Sequence, residues 1–563
     1  MKDTDSFKLP IEYLTDVKTL SDNVRGDLEL VPTDNTDVTL YHNLFNAGKD
    51  DPYSELCIDR WNKYYCTNKK FLTDSQTIIR DVHKYVNRCD DTDMMELYRK
   101  IMTEETFMEK YVSYMEWDRL SHLNNNEIFL HISGIYHIIS PLLSIMIPIT
   151  IFIIPFIILR ITNTPISFET YVENLRRTIN KRGFSIGGGS DTNMYLFVTV
   201  AIYFIQIYQN VMSCLKFRNT IQTIQRDSKI LYTFLSNATE RMKKFEDGFS
   251  LVKTYNPFIN NLATHRDVLD KFKLELRLIT SIESDKVSFY DLLDMGKKLK
   301  GFYAFYNDNK LITSISYSIY FNGYINNILT LHEKSCKNQI SLCKFTKGNT
   351  KYKGGYFIGI TGDTIKRNKL GLSKNIIITG PNASGKTTIM KGTMFNNILS
   401  QQIGAGCYKG AHIRVYDNFH SYMNIPDTSG RDSLFQAEAR RCKDIIKCLN
   451  DTSASHLCIF DELYSGTNPK EAISSAMAFI SYINKHPNTR FILTTHYSQI
   501  CDHVEKLKGI KNYHMHVTDS DAGIKFSYKI EEGMSNTLGG VNVLKMMDYP
   551  DEIINDIIER SKE

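Results

Sequence analysis

Gly380-Pro381-Asn382-Ala383-Ser384-Gly385-Lys386-Thr387 fits the spacing G-x-x-x-x-G-K-[ST], which suits a nucleotide phosphate. Its glycines let backbone N–H groups curl around a β-phosphate, and a following helix N-terminus adds partial positive charge. Lys386 is long enough to reach β- and γ-phosphates, and the Thr387 hydroxyl is a hard oxygen ligand for Mg²⁺. The candidate nucleotide-binding residues are Gly380, Pro381, Asn382, Ala383, Ser384, Gly385, Lys386, Thr387 and Thr388. Downstream, "HLCIFDE" ends in Asp461-Glu462. A carboxylate at a strand's end can hold Mg²⁺ through water, and the next can polarise an attacking water. Asp461 is therefore the candidate metal residue beside Thr387, and Glu462 the candidate general base. His496 closes "RFILTTH", where an imidazole can sense a γ-phosphate; alone, a strand-end histidine is more often structural. Together these groups predict Mg²⁺-dependent ATP hydrolysis.

The elements that must position them are legible. "NIIIT" reads as a strand that runs into the phosphate loop, and a helix follows. The two downstream motifs also end short apolar strands. From about residue 350 the pattern is strand–loop–helix, which predicts an α/β P-loop NTPase domain over 350–563.

Phosphate loops reading G-P-N-x-S-G-K occur in ABC-type ATPases and in the DNA mismatch-repair MutS family. No LSGGQ-like sequence precedes Asp461. Instead Ser433-Leu434-Phe435-Gln436-Ala437-Glu438 resembles the MutS element S-T-F-x-x-E. "DELYSGTNPKEA" resembles D-E-x-x-x-G-T, "TTHY" resembles A-T-H-Y, and "YKIEEGMSNTLGGVNVLKMMDYPDEIINDI" resembles the closing segment of that family. The resemblance implies that two ATPase domains pair head to tail, and that Ser433 reaches the γ-phosphate bound in the other subunit. It also implies a dimer, a homodimer in the simplest case, and double-stranded or branched DNA as a partner. The chain departs from the pattern by an extra residue in its S-G-R-x-S element and by Leu434 where Thr is usual.

The rest of the chain is less familiar. Net charge is +5 over 563 residues, too weak to demand or exclude nucleic acid. Eleven cysteines without a CxxC pair suggest reduced thiols in a cytosol-facing protein. The N-terminus "MKDTDSFKLPIEYL" has early acidic residues and no apolar core, so no secretory signal is expected. Residues 1–55 read as an irregular segment and 56–127 as a first helical region.

Ile128–Leu159 and Met194–Leu215 then carry no Asp, Glu, Lys or Arg. Each is long enough to cross a bilayer, and together they predict a transmembrane hairpin over 128–215. Pro141, Pro148 and Pro155 would kink or break a soluble helix but are better tolerated in a membrane helix. Gln206, Gln209 and Asn210 weaken the second span. Basic residues are balanced between the loop and the flanks, so the positive-inside rule leaves orientation open. Cytosolic ATP places both hairpin ends, and the ATPase domain, in the cytosol; the alternative is a soluble cytoplasmic or nuclear protein.

Ile221, Ile224, Ser228, Leu231, Leu235, Ala238, Met242 and Phe245 form a heptad seam, suited equally to an internal helix pair and to a two-chain coiled coil. Residues 216–345 read as a second, lever-like helical region. In MutS a DNA-clamping domain sits between two levers; here the apolar hairpin interrupts the helical region at a similar place. The first 55 residues are too few for a mismatch-reading domain, and Phe107-Met108-Glu109 is a chance match to its wedge motif.

Two readings follow. The first is a MutS-like repair or recombination ATPase tethered to a membrane. The second is a membrane-anchored mechanochemical or scaffold ATPase without mismatch recognition.

Overall fold

A computed structural model of the chain describes residues 6–33, 37–48, 50–103, 114–115, 117–162, 167–181, 191–280, 295–360, 365–423, 425, 433–520, 523–534, 547 and 549–560. The Phe107-Met108-Glu109 triplet, the hairpin loop 182–190, residues 426–432 before Ser433 and the Gly-rich turn within 535–546 lie outside them.

The described helices are α1 (Asp22–Asp27), α2 (Leu40–Phe45), α3 (Pro52–Trp61), α4 (Lys69–Asp81), α5 (Thr92–Thr103), α6 (Glu127–Ile161), α7 (Phe168–Lys181), α8 (Asp191–Phe249), α9 (Asn256–Thr280), α10 (Met295–Asn307) and α11 (Asn309–Cys336). Beyond them come α12 (Lys386–Ile403), α13 (Leu434–Leu449), α14 (Pro469–Ile483), α15 (Ser498–Glu505) and α16 (Asp551–Arg560). The chain divides into two compact units. One takes in Asp91–Glu240 and His265–Ser316; the other takes in Ser6–Asp90, Arg241–Thr264 and Tyr317–Glu563.

In the first unit, α6 is one continuous helix of 35 residues through all three prolines. A proline frees the carbonyl four residues before it. For Pro141 that carbonyl is on His137, and it accepts from the Ser140 hydroxyl at 3.2 Å. For Pro148 it is on Ser144, and it accepts from the Tyr203 hydroxyl of α8 at 2.9 Å. Side-chain hydroxyls thus replace the missing backbone donors at two of the three prolines. Other polar contacts join α6 to α8. Asn210 donates to the Ser144 hydroxyl, His137 Nδ1 lies 3.2 Å from Ser213 Oγ, and the Cys214 thiol reaches the Ile138 carbonyl at 3.9 Å. Asn210 is therefore satisfied between helices.

The base of α6 packs on α10 so closely that a Cβ on Gly296 would overlap the Glu127 carbonyl oxygen. Farther along, its outer face is apolar and exposed, as at Leu142, Ile145, Ile149, Ile154 and Ile158. Glu127–Ile147 is long and apolar enough to cross a membrane, with mean hydropathy 1.6 and 22% of it buried. The heptad seam is internal: Ile224, Leu231, Leu235 and Ala238 are buried in this unit, and Met242 and Phe245 in the second.

The second unit is built on a six-stranded sheet. Its strands are β7 (Asn375–Thr379), β10 (Asn418–Tyr422), β11 (His456–Asp461), β12 (Thr489–Thr494), β13 (Ile510–Ser520) and β14 (Gly523–Glu532), in the order β10-β11-β12-β7-β13-β14. All neighbours are parallel except the β13–β14 hairpin. The intervening β8 (Ala405–Gly406) and β9 (Gly410–Arg414) belong to small sheets with β3 (Ser341–Leu342), β4 (Lys344–Thr346), β5 (Lys351–Gly355) and β6 (Asn368–Gly371); β1 (Val17–Thr19) pairs with β2 (Tyr64–Cys66). Strand β7 is buried on both faces, as its Ile376-Ile377-Ile378 run requires.

Helix α12 is almost wholly buried, polar residues included. Residues 41–76 accept and supply its hydrogen bonds. Gln402 Nε2 donates to the Trp61 and Tyr64 carbonyls at 2.7 and 2.8 Å, its Oε1 accepts from the Tyr41 hydroxyl at 2.8 Å, and Gln76 donates to the Gly404 carbonyl at 2.8 Å.

Candidate functional site

Parallel register explains how motifs more than a hundred residues apart meet. Asp461 of β11 lies beside Thr494 of β12, and Thr494 lies beside Ile378 of β7. The strands therefore end at one level, and ligands of open parallel sheets bind at such carboxyl ends. The loop leaving β7 turns through Gly380 (φ 147°), Ala383 (φ 60°) and Gly385 (φ 95°) into α12. A Cβ on Gly380 would meet Met515 Cβ at 3.0 Å and Ser384 Oγ at 3.1 Å, so a side chain there would have to push both aside as well as adopt φ 147°. Ala383 holds a left-handed conformation without being glycine, at a cost of roughly 1–2 kcal/mol. Strain of this kind collects at functional loops.

The structure brings Lys386, Thr387, Asp461, Glu462 and His496 together. Thr387 donates its hydroxyl to Asp461 Oδ2 at 3.0 Å, and Thr494 donates its hydroxyl to Asp461 Oδ1. Lys386 Nζ donates to the Gly380 and Pro381 carbonyls at 3.0 and 3.2 Å and lies 3.1 Å from His496 Nε2. The same His496 nitrogen is 2.9 Å from Glu462 Oε1. It serves one neighbour at a time: protonated, it donates to Glu462; unprotonated, it accepts from Lys386. The hydrogen bond from His496 holds the Glu462 carboxyl below its usual range, aided by the charges of His496 and Lys386 and opposed by partial burial. Burial pushes the Lys386 ammonium down, while Glu462 and Asp461 pull it back up. Glu462 also sits at φ 52°, and its N–H donates to the Thr494 carbonyl at 3.2 Å.

Nucleotide and metal can be tested against these residues. Ser384 Oγ is buried in the loop with no hydrogen-bond partner among the described residues, as a group meant for a ligand oxygen would be. Beside the loop lies a cavity of about 450 Å³, lined by Asn382 to Thr388 and walled by Tyr352, Tyr356, Phe357 and Tyr528. Its size and mixed lining suit a nucleotide. Among the described residues no group of three or more His, Cys, Asp or Glu side chains suits a metal ion. The oxygen pair of Thr387 and Asp461 fits Mg²⁺, which keeps most of its waters and takes one or two protein ligands.

Ser433 stands apart from this cluster in its contacts. It caps α13, is exposed, and accepts from the Gln436 N–H at 3.3 Å while Gln436 Oε1 accepts from its own N–H at 3.0 Å. Two features of the site, Thr494 and the aromatic wall of the cavity, carry no signal in the sequence alone, while Glu438 and Leu434 of the Ser433 element and Gly466 after Glu462 acquire their roles only in the structure. Thr494, the first threonine of "TTH", orients Asp461, and only register with β11 reveals it. Glu438 is buried and accepts from Ser465 Oγ at 3.0 Å and from the Gly466 N–H at 3.2 Å, so it ties α13 to the loop after Glu462. Leu434 explains the glycine of that loop, since a Cβ on Gly466 would meet Leu434 Cγ at 2.6 Å. The aromatic wall of the cavity comes from scattered positions that belong to no motif.

Residues 376–563 match the family described as MutS domain V. The DNA mismatch repair protein MutS of Bacteroides fragilis is 34% identical over 191 residues, covering 33% of this chain and 22% of that protein. MutS of Bacteroides thetaiotaomicron is 35% identical over 182 residues, with 32% of this chain and 21% of that protein covered. MutS of Clostridium tetani is 35% identical over 191 residues, covering 33% and 21%. The similarity thus spans about a fifth of these relatives' length, and it shows that the C-terminal third of this chain is MutS-like.

Proposed function

We propose that the chain is a MutS-like ATPase that couples ATP binding and Mg²⁺-dependent hydrolysis to the closing of a dimer. The carrying observation is the convergence of Lys386, Thr387, Asp461 and Glu462 at the strand ends of a MutS-like domain. Thr387 and Asp461, whose orientation Thr494 fixes, would hold Mg²⁺, which would supply neutralisation of the charge that develops on the phosphates. Loop N–H groups and Lys386 bind and orient the phosphates. Lys386 leaves the Gly380 and Pro381 carbonyls to do so. Glu462, a carboxylate at neutral pH that the His496 hydrogen bond holds further toward its ionised form, accepts the proton of the attacking water. His496 stands between Glu462 and Lys386 and so can register which of them is engaged. Ser433, exposed at the head of α13, would act in the site of a second MutS-like subunit. Glu462→Gln should keep ATP binding and lose turnover; hydrolysis at the wild-type rate would remove the general-base role.

The names of the relatives favour mismatched DNA as the partner of this dimer, with duplex and branched DNA as the other candidates. A second reading, a membrane-anchored ATPase without mismatch recognition, is favoured by the exposed apolar face of α6 and α8. The contacts His137–Ser213, Ile138–Cys214 and Ser144–Asn210 run antiparallel. They set Met194–Leu215 against roughly residues 137–158 of α6, and 22 helical residues rise about 33 Å, close to the ~30 Å hydrocarbon core. The Ser144 carbonyl and the side chains of Ser144, Asn210, His137 and Ser213 are hydrogen-bonded between the two helices, as a bilayer demands. Gln206 and Gln209 are exposed polar exceptions on α8. In this reading the hairpin is anchored in a membrane with the ATPase domain in the cytosol. Salt-dependent binding of the detergent-solubilised protein to duplex, mismatched and branched DNA separates the two. Binding to none of them at low salt removes the DNA role.

A further inference from the structure

Two acidic residues at the end of α1 reach the two helices that matter most for hydrolysis. Asp27 is buried, with its side chain 9% exposed. Its Oδ2 accepts from Ser421 Oγ of β10 at 2.7 Å and from Arg441 Nη1 of α13 at 3.3 Å. The same Arg441 nitrogen donates to the Ser421 carbonyl at 3.1 Å, closing a three-membered network. Arg441 lies about two turns beyond Ser433 on one helix. Glu29 adopts φ 56° and accepts from Lys391 Nζ at 2.7 Å. Lys391 lies on α12, little more than one turn past Lys386. The chain reverses at Leu28 and Glu29 so that neighbouring carboxylates point to different helices.

We propose that Asp27 and Glu29 are positioning residues that fix the Ser433-bearing helix relative to the helix leaving the phosphate loop. This rests on the reading above that Ser433 acts in the partner's site. A buried ion pair is a poor source of stability, because desolvation offsets most of its attraction. What a hydrogen-bonded carboxylate–guanidinium pair does give is orientation. Helix α13 is gripped at two points along its length. Glu438 ties it to Ser465 and Gly466 in the loop after Glu462, and Arg441 ties it to Asp27. Losing Asp27 leaves the second grip to the Ser421 carbonyl and to the packing of Cys442, Ile445 and Leu449, so the helix can tilt slightly about Glu438, which displaces its Ser433 end. The defect should therefore appear in the partner's site, not in the subunit that carries the substitution.

Subunit mixing of the full-length, detergent-solubilised protein tests this. Lys386→Ala lacks a working phosphate loop but keeps its own Ser433 helix. Asp27→Asn should bind ATP as tightly as wild type, with kcat lowered roughly ten- to hundred-fold by misplacement. Mixed one to one with Lys386→Ala, half of the randomly formed two-fold dimers are mixed and hold one complete site. About a quarter of the wild-type rate should return. Ser433→Ala mixed with Lys386→Ala should recover to the same extent and serves as the reference. Recovery for Ser433→Ala but none for Asp27→Asn overturns the positioning role and leaves the trans reading standing. No recovery for either overturns both. A wild-type kcat for Asp27→Asn alone also overturns the inference. Arg441→Gln, which removes the other end of the same bond, guards against a folding defect peculiar to Asp27 and should behave as Asp27→Asn does.

Discussion

Replacing Ile145 and Ile149 of α6 with Asp asks what surrounds the hairpin. Both side chains already point outward, 48% and 43% exposed, so no internal packing is lost. In water such surface changes cost within about 0.5 kcal/mol each. Near the middle of a bilayer span each charge costs about 2.5–3.5 kcal/mol. The pair lies on either side of the midpoint of the α6 stretch set against Met194–Leu215. The double variant should therefore lose about 5–7 kcal/mol of insertion free energy. At 1.4 kcal/mol per tenfold, that is a shift of roughly 10³–10⁵ in the membrane-bound to free ratio. Alkaline carbonate extraction reads it out: the wild type stays with the membrane and the double variant is released. Ile128→Asp supplies a control, because Ile128 is 70% exposed but lies at the very end of Glu127–Ile147, where a charge costs least. That variant should stay in the membrane fraction. The reasoning fails if wild-type protein washes off in carbonate, or if the double variant remains as firmly bound as the wild type.

Other outcomes are expected in the second unit. Glu462→Gln should lower kcat by roughly 10²–10⁴ with ATP affinity retained, measured by single-turnover hydrolysis beside nucleotide binding. Thr494→Val removes the hydroxyl on Asp461 Oδ1 and should raise the Mg²⁺ needed for half-maximal activity by roughly 10–100-fold; an unchanged Mg²⁺ dependence would deny Thr494 its orienting role. Burial, and the facing His456, push His420 down to about 4. Well above pH 6.5 it is neutral in both folded and unfolded chains and adds no pH dependence. Between pH 6.5 and about 4 the unfolded chain takes up a proton that the folded one refuses, so up to about 3 kcal/mol of stability is lost on acidification. Thermal melts of His420→Gln should fall less between pH 7 and 5 than those of the wild type.

What was legible in the sequence was whatever a short contiguous motif could carry. The phosphate loop, Asp461-Glu462 and His496 each close a strand, and the structure sets all three at one sheet edge. Two other kinds of information were out of reach. One is pairing across long separations: nothing near Asp27 or Glu29 in sequence points to Arg441 or Lys391, more than 300 residues away. The other is local compensation. Pro141, Pro148 and Pro155 suggest breaks, yet α6 is unbroken, and Ser140 and Tyr203 supply two of the missing donors. The heptad seam is ambiguous for a related reason. Its spacing specifies a buried face but not its occupant, and the occupant is this same chain.

The hydroxyls that answer the prolines of α6 also constrain how its sequence can drift. Tyr203 donates to the carbonyl that Pro148 leaves free, although the two lie on different helices. Tyr203→Phe should therefore be tolerated where residue 148 carries an N–H and harmful where it is proline. Ser140 and Pro141 form the same kind of pair within one turn. Across related sequences the two partners of each pair should change together, even though the positions look like freely exchangeable apolar helix. A pairwise substitution pattern at 148/203 and 140/141 would be the inherited trace of backbone carbonyls whose donors come from side chains.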